Sequence, residues 1–180
     1  MKRKNKILLV YSITVTGISF LLILVFLAPF LKSQYPTFSA LIYTAFAPFC
    51  HQVPSRCFRV FGHPLAVCTR CLGIYFGFLA GSLFYPFARG LKELPIPKTR
   101  TFFIFTIPIV LDASINFFAL WGTGGWIRFG SGFIWGTILP FYFISGISES
   151  IIRKFFVKGL KENNYFKLRG EYKIELKSEL

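Results

Sequence analysis

The chain has 180 residues, 54% of them hydrophobic, 19% aromatic and only 16% charged, with a formal net charge of +14 and a mean hydropathy of +0.57. A soluble domain of this size carries about 25% charged residues and cannot enclose this much apolar surface in one core. A disordered chain, an ordinary soluble enzyme and a nucleic-acid partner are therefore excluded, because the basic residues stand in clusters between long apolar runs. That is the pattern of a protein whose surroundings are the lipid bilayer.

A bilayer core of about 30 Å takes roughly 20 apolar residues in helical form. Residues 7–30 carry no charge and follow Lys2, Arg3, Lys4 and Lys6. The run exceeds the ~7–15 apolar residues of a signal peptide, and Leu27-Ala-Pro-Phe30 makes a poor cleavage site, so a retained anchor is expected. Residues 37–49 are apolar but too few to cross, and Pro48 would end a helix there. An interfacial or shallow re-entrant helix is expected; a tilted fifth span, the alternative, would invert the sidedness of everything after it.

Further spans are expected at 69–87, 101–120 and 132–150. Gly73, Gly77 and Gly81 fall every fourth residue on one helical face, as do Gly132 and Gly136, so the second and fourth spans are candidates for close packing. The glycines of Gly122-Thr-Gly-Gly125 suit a tight reversal. The fold class expected is an all-α integral membrane protein, one domain over 1–152 built as a four-helix transmembrane bundle, with a basic tail at 153–180. The tail mixes Phe155, Phe156, Tyr165 and Phe166 with basic residues, which suits a solvated segment or one held to anionic lipid.

Orientation follows from the flanking Lys and Arg. Four precede the first span, four lie between the second and third, and eight follow Ile152, against five on the opposite side (Lys32, Arg56, Arg59, Arg70 and Arg128). Both termini are expected in the cytoplasm of a cell-membrane protein, with 31–68 and 121–131 outside.

All four cysteines and both histidines lie between positions 50 and 71: Cys50-His51, Cys57, His63 and Cys68-Thr-Arg70-Cys71. Two thiols at Cys-x-x-Cys spacing reach one metal ion, and zinc takes four Cys or His ligands. Cys50 with His51 or Cys57 would complete the set, with Arg56 and Arg70 offsetting its negative charge. A c-type haem would need His after Cys71, where Leu72 stands. Redox chemistry is the alternative, since Cys68 and Cys71 open a helix whose dipole, with Arg70, favours the thiolate. In that case Cys50 and Cys57 would relay electrons and quinone would be the cofactor. His63, in Gly62-His-Pro, suits a turn better than a ligand.

These residues carry a resemblance. Cys50-His-Gln, Arg56 and Cys68-Thr-Arg-Cys-Leu-Gly-Ile-Tyr-Phe-Gly77 resemble the signature of a family of small predicted prokaryotic membrane proteins of unknown function. Its pattern reads C-H-Q-x-P-x-R-[SC]-F, then C-x-R-C-x-G-I-Y-x-G, then an acidic residue in a span and Arg-x-x-[TS]-G. Asp112 and Arg128-Phe-Gly-Ser-Gly132 correspond more loosely, and the likeness runs from about residue 45 to 140. Because the position of Cys57 can be Ser there, the resemblance implies a site on Cys50, His51, Cys68 and Cys71, and no named activity.

A carboxylate at the bilayer centre costs at least ~2.5–3.5 kcal/mol, so Asp112 must face protein, water or a cation. Asn116 lies one turn away on the same face, with Arg128 and Arg70 as reachable partners. A polar cluster of Asp112, Asn116 and Arg128 beneath the loop is expected, binding a ligand or fixing helix packing. The reading with most support is a membrane protein whose outer Cys/His loop binds a metal ion, zinc or iron, in a structural or a functional role. A quinone-coupled thiol–disulfide oxidoreductase is the enzyme alternative. A small transporter using Asp112 is the third, and it requires a homo-oligomer.

Overall fold

The computed structural model describes residues 3–89, 98–118 and 123–150. The tail expected at 153–180 and most of the basic loop between the second and third spans lie outside the described residues.

Helix α1 (Arg3–Leu31) contains the first expected span. Helix α2 (Pro36–Phe46) follows, with Pro36 at its first position, where the missing N–H leaves no bond unmade. Its 11 residues extend about 16 Å, half a bilayer core, so α2 does not cross. It folds back on α1, where the buried Ser39 hydroxyl donates to the Ala28 carbonyl at 2.7 Å.

The loop that follows contains the departure from an all-α fold. Strands β1 (Arg59–Val60) and β2 (His63–Pro64) form an antiparallel hairpin in the register Arg59–Pro64 and Val60–His63. Its two central residues, Phe61 and Gly62, have φ of 53° and 78°, the sign that a twisted two-residue hairpin turn requires. Periodicity has no grip on a ladder two residues long. His63 is thus a strand residue beside a turn. Leu65, Ala66 and Val67 then enter the core, packing with Leu22, Val25, Ala28, Phe46 and Leu72.

Helices α3 (Thr69–Arg89) and α4 (Thr99–Phe117) match the second and third expected spans. The last described helix, α5 (Gly125–Ser150), begins seven residues before the expected 132. The Gly124 carbonyl accepts from the N–H groups of Ile127 and Arg128, which starts the first turn directly after the reversal. Arg128 therefore stands on α5 and not in a loop.

The elements alternate in direction. Val10 of α1 packs with Tyr85 and Ile144 at one end of the bundle, while Leu22, Val25 and Ala28 meet Leu72 toward the other. Along α3 and α5 the register climbs in parallel. A Cβ on Gly73 would collide with the Phe129 carbonyl, one on Gly77 with that of Phe133, and one on Gly81 with that of Thr137. Gly132 and Gly136 meet the backbone at Arg70 and Ile74 in the same way, so the two glycine faces do pack together. Helix α4 runs opposite to α5, with Trp135 donating to Thr106 at 3.1 Å and Tyr142 to the Lys98 carbonyl at 3.0 Å.

Among the described residues three helices are long and apolar enough to cross a membrane: Ile7–Leu31, Thr99–Phe117 and Gly125–Ser150. The second expected span, on α3, is long enough but less apolar. Its three glycines, Arg70, Ser82 and two tyrosines suit packing against protein more than against lipid.

Candidate metal centre

The loop is held by a few polar ties. Gln52, next but one to Cys50, donates from Nε2 to the carbonyls of Tyr43 at 2.7 Å and Ala66 at 2.8 Å. That clamp joins the end of α2 to the chain entering α3, and it holds Gln52 in the left-handed region at φ 49°. A strained backbone of this kind persists only where surrounding bonds fix it. The Tyr43 hydroxyl also donates to the Pro64 carbonyl.

These ties bring Cys50, buried, against the start of α3. The sulfurs of Cys50, Cys68 and Cys71 all lie within 4.8 Å of one another, and the Cys68 N–H donates to the Cys50 sulfur at 3.1 Å. The four cysteines are free thiols. Hydrogen bonds from the Cys68 thiol, then the Cys71 thiol, hold Cys50 well below the ordinary thiol range despite its burial. The same bond to Cys50 raises Cys68. Thiol–thiol hydrogen bonds of this kind favour the deprotonated sulfur, the form in which a cysteine can ligate a metal.

The other sequence-expected ligands stand apart. His51 is exposed and contributes no nitrogen to the three-sulfur group, although it lines the same cavity. The Cys57 thiol turns to the Val53 carbonyl at 3.2 Å. Burial, then the charges of Cys68 and Cys50, push it up to about 11. Cys57 stands outside the group of three sulfurs that contains Cys50.

Below the thiols lies the polar cluster. Asp112 is buried, 4% exposed, and pairs with Arg70, whose Nε donates to Oδ2 at 2.8 Å. Asn116 donates to Oδ1 at 3.1 Å and Thr123 at 2.9 Å, while Ser131 reaches Oδ2 at 3.4 Å. Arg128 donates through Nε to Thr123 at 3.1 Å and through Nη2 to Asn116 Oδ1. Asp112, Asn116 and Arg128 are thus brought together as expected, with Arg70 as the ion-pair partner. Thr123, within Gly122-Thr-Gly-Gly125, and Ser131, within Arg128-Phe-Gly-Ser-Gly132, stood inside motifs the sequence displayed, but nothing in those motifs gave either hydroxyl a place in the Asp112 network. Gln52 was visible within the motif, but nothing marked it as a clamp.

A model of predicted membrane proteins of unknown function, DUF2085, matches residues 50–142. An uncharacterised protein of Methanocaldococcus jannaschii is 36% identical over 146 residues, covering 77% of this chain and 94% of its own length. The chain belongs to the DUF2085 family. The match starts at Cys50 and so includes the three thiols, Arg70 and the Asp112 network of this family member. No solved structure matches it.

Arg70 joins the two halves of the site. It lies between Thr69 and Cys71 at the first turn of α3, so the cysteines beside it face Cys50 while its own side chain reaches α4.

Proposed function

We propose that this is a four-span membrane protein whose Cys50, Cys68 and Cys71 thiolates hold a metal ion, zinc or iron, on the extracytoplasmic side. The convergence of three sulfurs within 4.8 Å carries the reading. Zinc–sulfur bonds of about 2.3 Å in a tetrahedral set place sulfurs about 3.8 Å apart, a small contraction from that limit. Three protein ligands and one open position are the arrangement of zinc sites that act on a bound molecule. His51, adjacent to Cys50 in the chain and lining the same cavity, would supply a fourth ligand if the site closes.

The topology rests on α3 running beside the whole length of α5, from the Arg70–Gly132 contact to the bond between Tyr85 and Ser145. A helix that accompanies an apolar span from end to end crosses the same thickness. With α2 too short to cross, four spans return the chain to its starting side. Sixteen basic residues flanking that side against five on the other support cytoplasmic termini and thiols on the outside.

Metal analysis of protein purified in detergent tests the reading. One zinc or iron per chain is expected, lost in Cys50→Ser and Cys68→Ser and kept in Cys57→Ser. Wild-type protein without metal, or with metal that survives Cys68→Ser, overturns it.

A further inference from the structure

The three thiols open into a cavity of about 370 Å³ that Arg56, Arg70 and Arg128 also line. Among the described residues Asp112 is the one acidic group paired with any of those three guanidiniums, and its partner is Arg70. Arg128 is met by neutral groups, Asn116 and Thr123. The Arg56 guanidinium, exposed, has no partner among the described residues. A divalent ion on three thiolates would add one negative charge and still leave the cavity positive.

A second cavity, of about 530 Å³, shares Arg56, Arg128 and Thr69 with the first. Thr69 is 3% exposed, and its hydroxyl has no hydrogen-bond partner among the described residues. An unpaired hydroxyl and two arginines without an acidic partner in one wall call for an acceptor that the described residues do not supply.

We propose that this cavity binds a phosphate ester. Guanidiniums bind in forks, and a phosphate group offers enough oxygens to engage more than one of them, where a carboxylate offers two. At about 30 Å³ per water the first cavity holds roughly a dozen waters, room for a phosphate with its substituent. The ester has two sources, a soluble molecule or the headgroup of an anionic lipid. The inference goes beyond the metal reading and does not require it.

The test uses the full chain in phosphatidylcholine nanodiscs, titrated with glycerol 3-phosphate by calorimetry. A parallel set carries phosphatidylglycerol, with retained lipid counted by native mass spectrometry. One saturable site is expected. Arg56→Gln should weaken it at least tenfold and Arg128→Lys, which keeps the charge and loses the fork, severalfold. Arg59→Gln, on the neighbouring hairpin and outside the cavity lining, should change it less than twofold. Saturation by glycerol 3-phosphate identifies a soluble ligand; selective retention of phosphatidylglycerol, lost in Arg56→Gln, identifies a headgroup. Binding of neither probe by the wild type, or equal effects of Arg56→Gln and Arg59→Gln, overturns the proposal. Metal content measured on every sample lets the two readings fail separately.

Discussion

The carboxylate network and the thiol cluster lie on either side of Arg70 and are built in opposite ways. Around Asp112, donors from three helices and the segment before α5 meet both carboxylate oxygens inside the protein. The network is closed, and closure ties α3, α4 and α5 together. The three thiols converge as tightly, but among the described residues they meet one another and a few backbone N–H groups, with no charged side chain bonded to them. Three soft donors beside three guanidiniums are the arrangement on which the proposed metal site rests. A satisfied cluster fixes a fold, whereas an unsatisfied one awaits a ligand.

The largest effect should come from breaking the closed side. Asp112→Ala leaves the Arg70 guanidinium without its carboxylate, and loss of one partner of a buried pair costs about 3–5 kcal/mol. Arg70 is 27% exposed, so the lower end is expected, read as a fall in thermal stability in detergent. A melting temperature equal to the wild type would remove the structural role assigned to the network. Next comes the glycine seam. Gly77→Leu drives a side chain into the α5 backbone, and overpacking costs about 1–3 kcal/mol or more. A Cβ added at Gly17 meets nothing within 4 Å, so Gly17→Ala should be nearly neutral in the same assay, whereas Gly77→Ala should already destabilise; equal effects at both positions would contradict close α3–α5 packing.

Gln52→Leu sharpens the open side. It strands the carbonyls of Tyr43 and Ala66 at about 1–3 kcal/mol and frees Cys50 from α3, so metal should be lost severalfold faster to a chelator. Unchanged release would show that the clamp does not position the thiols. The smallest effect concerns Cys57. With its thiol pushed up to about 11, the thiolate is scarce at neutral pH, and alkylation should accelerate only as pH rises toward that value. A profile centred near 8.5, the ordinary thiol value, would place Cys57 in open solvent.

Much of this was legible in the sequence, for identifiable reasons. Uncharged apolar runs long enough for the bilayer's thickness revealed the long helices, and the four-residue glycine spacing anticipated the seam between α3 and α5. A lone carboxylate in an apolar run announced that Asp112 needed partners. Short-range chemistry was harder to read. The β1–β2 hairpin has too few residues to show a period, and α5 starts early because a carbonyl at Gly124 caps it, which composition does not reveal. Chain proximity suggested His51 and Cys57 as ligands, but the loop's fold decides which donors meet. Gln52, with its bonds to Tyr43 and Ala66, turns Cys50 toward α3 and leaves its neighbours outside.

The central claim is most directly tested by counting thiols in protein quenched anaerobically in cells, denatured and alkylated with a mass tag, with and without chelator and reductant. Four taggable thiols are predicted without reductant. Before denaturation Cys50, Cys68 and Cys71 should react only after the chelator is added, while Cys57 stays indifferent to it. Tags that appear only with reductant, mapped to any two of the three clustered cysteines, would mean a disulfide where the metal was placed and would contradict the account.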